Sequence, residues 1–179
     1  MHCAKNTAGF IFYLFFSLIF LYGCSGEQQS GNSNQTQGQM TETPFNKALG
    51  QAIDFAKPGY PSYIAGVKGL SIVETIGRWS DGKLVLFAYK QVLPQKFTLV
   101  LTLAAFGSNV NAPINVKCGD VTKELVVGKS LEIYRIPFNT AVPVNTIEFT
   151  IPHPESPKSL RMNDDTRMLG ILFRTMMIE

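Results

Sequence analysis

In the run FTLVLTLAAFG, Phe97, Leu99, Leu101, Leu103 and Ala105 alternate with Thr98, Val100, Thr102 and Ala104. A period of two gives an extended strand one greasy face and one mixed face. NTIEFTIP repeats the design, with Ile147, Phe149 and Ile151 predicted inward and Glu148 and Thr150 outward. Similar runs recur in KLVLFAYK, PINVKCG, TKELVVG, LEIYRIPF and GILFRTMMIE, separated by the turn-forming SDGK, LPQK, GSNVNAP, GKS, NTAVP and HPESPK. Short strands at this spacing predict an all-β domain, an antiparallel β-sandwich of jelly-roll-like type. Two short helical turns are also predicted. One lies in PFNKALGQAI ahead of a first strand at IDFA; the other is MNDDTRML, where Asn163 or Asp164 would cap it.

The start of the chain follows a different pattern. Lys5 precedes the apolar run AGFIFYLFFSLIFLYG, and Cys24 follows the small residue Gly23, the layout of a secretory signal. LYGC resembles a bacterial lipobox, with Leu21 three residues before the cysteine. The resemblance implies that Cys24 becomes the lipidated first residue of the mature protein, held at the membrane by acyl chains. The apolar run, 16 residues long, is short of the roughly 20 that a spanning helix needs. Ser25 is not the Asp that marks inner-membrane retention in Gram-negative lipoproteins, so the expected address is the outer membrane. Residues 25–43 are rich in Gln, Asn, Ser, Gly and Thr and bury too little to offset their ordering entropy. The expected organisation is therefore a signal over 1–23, the lipidated Cys24 with a polar tether over 24–43, and one domain over 44–179.

Composition narrows the function. Of 179 residues, 45% are hydrophobic and 16% charged, with a net charge of +3. This suits one globular domain with appendages, and the scattered positive charge gives no footprint for nucleic acid. With Cys3 in the leader and Cys24 acylated, Cys118 stands alone, expected as a structural thiol. His153, between two prolines, is the one histidine beyond the leader, and it is expected on an exposed loop. No GxSxG, phosphate-cradling glycine loop or zinc spacing occurs, so no cofactor or metal is expected and an enzyme lacks a visible acid, base and nucleophile. The adjacent carboxylates of NDDTR are expected to cap a turn and pair with Arg161 or Arg167.

One cluster remains. GLSIVETIGRWSDGKLVLF holds the only tryptophan, Trp79, beside Arg78, with Glu74 and Asp81 on either side. Read as one extended strand, Glu74, Ile76, Arg78 and Ser80 share a face and Val73, Thr75, Gly77 and Trp79 the other. Gly77 offers a place for a bend or bulge. Two readings are open for Trp79. Its indole either fills the core with its N–H on a backbone carbonyl, or stacks on a sugar ring while Arg78, Glu74 and Asp81 bond to hydroxyls or a phosphate.

Ordered signposts tie these segments together: Gly69-Leu70-Ser71, Glu74, Gly77-Arg78-Trp79-Ser80, Leu93-Pro94, Phe97, Ala105-Phe106-Gly107, Asn109, Pro113, Gly119, and Arg167 ahead of Leu169-Gly170-Ile171. Over about residues 53–178 the chain resembles the C-terminal domain of the bacterial phosphoglycerol transferase I family, membrane enzymes that decorate periplasmic glucans with phosphoglycerol. The resemblance implies a sandwich like that of carbohydrate-binding modules. It carries over no catalytic residue, because the family's catalysis belongs to a separate metal-dependent domain that nothing here matches. Ile76 stands where family members commonly carry a second Trp. The expected function is a non-enzymatic envelope lipoprotein binding a periplasmic or surface glycan or glycolipid. The alternative is a protein-interaction or scaffold module with an envelope protein partner.

Overall fold

The computed structural model describes residues 49–179. The signal over 1–23, Cys24, the tether over 24–43 and the first half of PFNKALGQAI lie outside the described residues. Ten strands follow in chain order: β1 (Ile53–Asp54), β2 (Ile64–Lys68), β3 (Arg78–Asp81), β4 (Leu84–Tyr89), β5 (Lys96–Ala105), β6 (Pro113–Cys118), β7 (Val121–Val126), β8 (Glu132–Asn139), β9 (Thr146–Thr150) and β10 (Leu169–Ile178). Every pairing is antiparallel, in two sheets of five. The first runs β1-β10-β5-β8, with β3 sharing the edge of β10 that β1 occupies further along; the second runs β2-β4-β9-β6-β7. This is the predicted β-sandwich.

The period-two patterns face as expected. Phe97, Leu99, Leu101, Leu103 and Ala105 of β5 meet Ile147, Phe149 and Ile151 in the core between the sheets. Rings cross that space: Phe87 of β4 and Phe149 of β9 lie edge-to-face on Phe173 of β10, at centroid separations of 5.8 and 5.1 Å. Such pairs add about 0.5–1.5 kcal/mol each beyond area burial. Cys118 is fully buried on the inner side of β6.

Helical content differs from the prediction. Among the described residues the only helix is a 3-10 turn, Gly107–Asn109. MNDDTRML forms none, because Asn163 Oδ1 accepts the Asp165 N–H at 2.9 Å and Asp165 Oδ1 accepts the Arg167 N–H at 2.9 Å. Short polar side chains thus take backbone donors that a helix would have used. Of IDFA, only Ile53 and Asp54 pair as strand.

The sandwich end near the start of β10 is closed by polar bonds. Asn109 is fully buried and satisfied: its Nδ2 donates to the carbonyls of His153 (2.6 Å) and Phe106 (3.2 Å), and its Oδ1 accepts the His153 N–H (3.1 Å). Glu155 accepts from the Ser108 N–H and hydroxyl. The His153 residue itself stays exposed on its loop, as expected.

Candidate functional site

The extended reading of residues 73–80 is corrected by the structure. Glu74 and Gly77 exchange backbone hydrogen bonds, Glu74 N–H to Gly77 O at 2.9 Å and Gly77 N–H to Glu74 O at 3.1 Å. Glu74-Thr75-Ile76-Gly77 is therefore a tight turn, and β3 starts only at Arg78. Gly77 is required there. Its φ is 137°, and a Cβ would run into the carbonyl oxygen of Phe173 on the neighbouring strand. Beyond the turn, β3 is held on both sides: by β10, and by residues 69–71 through Ser71 N–H to Trp79 O and Asp81 N–H to Gly69 O, both 2.8 Å.

Within β3 the alternation is clear. Ser80 is fully buried, and its Oγ accepts the Ile171 N–H at 2.9 Å where the β10 register shifts. Arg78, on the same side, lies over the Tyr60 ring at 4.8 Å and donates to Tyr60 Oη and to the Lys57 carbonyl. Tyr60 packs in turn on the core through Phe55. The Tyr60 hydroxyl is raised above its ordinary pKa by burial, with Arg78 acting in the opposite direction. Arg78 is thus a structural strut, and its Nε is buried without a partner.

Trp79 and Asp81 point the other way. Trp79 is the cross-strand neighbour of Leu172, which is in turn opposite Ala104; Leu172 and Ala104 are buried but stand outside the core between the sheets. The Phe106 ring meets the indole edge-on at 5.8 Å. Trp79 is therefore a half-buried plate on the outer face of the first sheet, not a core plug. Its N–H has no hydrogen bond within the described residues and is not sealed from solvent. Asp81, two residues and roughly 7 Å along the same face, is exposed; its Oδ1 accepts the Met168 N–H at 2.9 Å.

Glu74 does not join them. Its Oε1 accepts from Arg167 at 2.7 Å, while Arg167 also bonds Ser71 Oγ and both oxygens of Asp165. The side chain of Arg167 lowers the Asp165 pKa, chiefly through these hydrogen bonds, and the carboxylates raise that of Arg167. Of the two NDDTR carboxylates, Asp165 thus makes the expected pairing with Arg167, whereas Asp164 is exposed and lies 3.7 Å from Lys158 instead of an arginine. Of the four cluster residues, Trp79 and Asp81 share an outer face, Arg78 is turned inward, and Glu74 anchors a loop. Phe106, which completes the aromatic surface, had no site role in the sequence reading although it sat among the signposts.

A family model described as a domain of unknown function (DUF7024) matches residues 41–179. The chain belongs to this family. The domain is also similar to phosphoglycerol transferase I from Salmonella typhimurium and from Salmonella typhi, each 36% identical over 121 residues, 65% of this chain and 16% of the relative. The chain thus spans about a sixth of the length of these curated relatives. Among solved structures, the DUF7024 domain is similar to a chain described as BiXyn10A CBM1 in its apo form (TM-score 0.45, 8% identity, 73% of this chain and 96% of the other). Another is a mutant of a carbohydrate binding module of family 29 (TM-score 0.41, 11% identity, 72% and 91%). TM-scores this low carry no functional comparison.

Proposed function

We propose that this DUF7024 domain is a non-catalytic glycan-binding module of the bacterial cell envelope, held at the outer membrane by lipid on Cys24. One observation carries the binding site: the half-open indole of Trp79, backed by Phe106 and Leu172, with an N–H that makes no hydrogen bond among the described residues and the exposed carboxylate of Asp81 on the same face. A flat apolar ring flanked by a donor and an acceptor suits a sugar, whose faces are C–H and whose rim is hydroxyl. Similarity to part of phosphoglycerol transferase I supports a glucan, bare or phosphoglycerol-bearing, as the ligand. The non-catalytic reading is supported by the similarity reaching only 16% of phosphoglycerol transferase I. Calorimetric titration with periplasmic glucans tests the proposal. Binding that is weakened at least tenfold by Trp79→Ala upholds it; equal binding by the folded variant removes the site.

A second reading, a protein-interaction module, is favoured by a different surface. Ile72, Val73 and Ile76 are exposed on the loop that Arg167 clasps, and Met168 is exposed nearby. Under this reading Ile72→Ser with Ile76→Ser abolishes capture of an envelope protein and leaves glycan titrations unchanged.

A further inference from the structure

Each sheet has two edges, and all but one of them are guarded among the described residues. In the first sheet β1 offers only two residues, and β3 is covered by residues 69–71. In the second, the register of β2 shifts between Ile64 and Gly66, and β7 carries Lys123 opposite the fully buried Val116, a charge turned inward at the rim. Short strands, irregular pairing and inward charges guard against strand addition. The edge at β8 differs.

β8 is eight residues long and pairs with β5 throughout without irregularity, and no described strand lies on its other side. The neighbouring bonds decide which of its backbone groups are open. Thr98 exchanges both of its backbone bonds with Glu179 on the β10 side, while the Thr140 N–H donates to Gln95 O on the β8 side. Bonding sides alternate along an antiparallel strand, so Leu99, Leu101 and Leu103 bond to Ile136, Tyr134 and Glu132. Ile133 and Arg135 therefore turn N–H and C=O to the open side, where Pro137 has only its carbonyl. Among the described residues nothing bonds those groups. The side chains are as uncovered. Ile133, opposite Thr102 on the outer face, is 70% exposed, and Leu131, just ahead of β8, is 44% exposed. The strand holds no lysine, and the charge of Arg135 is matched by Glu179 at 2.6 Å.

We propose that β8 pairs antiparallel with β8 of a second copy, joining the two first sheets into one. An antiparallel edge is self-complementary about a two-fold axis, and the sequence restricts the register. Centred on Glu132 or on Arg135, the pairing sets like charges opposite each other, which destabilises it. Centred on Tyr134, it puts Pro137 opposite Leu131 and lacks a donor there. Centred on Ile133, it puts Leu131 opposite Arg135 and Glu132 opposite Tyr134, leaves Pro137 beyond the paired stretch, and matches the open backbone groups of Leu131, Ile133 and Arg135. Leu131 and Ile133 of both copies then form one apolar strip. A foreign strand meets the same open groups, but not this match of side chains to themselves. The two-fold axis is perpendicular to the sheet, so both copies turn the Trp79 face to the same side, with the indoles roughly 35 Å apart. The pairing itself does not depend on Trp79 as a sugar platform.

The test is sedimentation equilibrium of the full-length protein in density-matched detergent, together with oxidation of cysteine variants by copper phenanthroline, the unsubstituted protein serving as the blank. A concentration-dependent dimer is expected, and Ile133→Lys is expected to be a monomer that circular dichroism shows to be folded. Ile133→Cys is expected to cross-link to its own copy, because directly opposed residues in such a pair have Cα atoms about 5.5 Å apart, within disulfide reach. Leu131→Cys is expected not to cross-link, being four residues out of register with its copy. Trp79→Ala is expected to leave the dimer intact. A monomer at every concentration, or a dimer that survives Ile133→Lys, overturns the edge pairing. Equal cross-linking by Leu131→Cys and Ile133→Cys overturns the register. Cross-linking of Ile133→Cys in membranes to a different protein, with no self-linked product, gives the edge to a foreign strand and overturns the second copy.

Discussion

Arg167 holds Glu74 at 2.7 Å across 93 residues of sequence and grips Asp165 with the rest of its guanidinium. The loop over 71–77 and the segment ahead of β10 are thereby one clasp. Both side chains of the Arg167–Glu74 pair are about 28–29% exposed, so the pair is only partly screened by water. Arg167→Gln is expected to leave the sandwich folded and to make the exposed Ile72–Ile76 loop protease-sensitive, read by limited proteolysis and mass spectrometry.

The same clasp has a pH sign. Hydrogen bonds from Arg167 hold the Asp165 carboxyl below its ordinary range. A depressed folded pKa contributes stability above the unfolded value near 3.8, and that stability is lost as pH falls through the folded value. The loop is expected to become protease-sensitive in acid below about pH 4, with no matching change in Arg167→Gln.

Gly77→Ala is expected to cost about 2–4 kcal/mol, since it strains a positive φ and forces a methyl against the Phe173 carbonyl. Urea titration followed by circular dichroism measures it. A cost below 0.5 kcal/mol, the size of an ordinary surface substitution, would show that the turn relaxes freely.

Cys118 gives a prediction of opposite pH sign. Burial, with a smaller contribution from Asp120, pushes its thiol up to about 11 from 9.0. A raised folded pKa favours the neutral thiol, so its contribution to stability is present below pH 9 and lost as pH rises through 11. At pH 8 the native protein is expected to resist thiol reagents, and to label at the rate of a free cysteine once unfolded in guanidinium.

The sandwich was legible because β5, β9 and β10 alternate or run apolar over enough residues that only one packing buries them. β3 was not. Its alternation was readable, but its inner face was not, because the rule that apolar side chains go inward is reversed there. Ser80 is inside because a small hydroxyl is needed to meet the Ile171 N–H at a register shift. Arg78 is turned inward because Tyr60, brought there by a loop 18 residues earlier, gives its cation a ring and a hydroxyl. Trp79 is left on the outside. The turn at Glu74–Gly77 was hidden as well, since ETIG carries none of the Asn-Gly or Asp-Gly signals of a two-residue hairpin.

Because Trp79 is the only tryptophan, its fluorescence reports on one place. A core indole would emit at short wavelength and resist quenching; a half-buried plate with an unbonded N–H is expected to emit at intermediate wavelength and be quenched by acrylamide. Its removal is also expected to cost less than removal of a core ring. Trp79→Ala loses the Phe106 edge contact and the cover over Leu172, about 1–2 kcal/mol, whereas Phe173→Ala empties the space between the sheets and costs about 3–5 kcal/mol. Glucan binding to the outer face is expected to shift the emission to the blue and protect it from acrylamide; unchanged emission at saturating glucan would remove the outer face as its site.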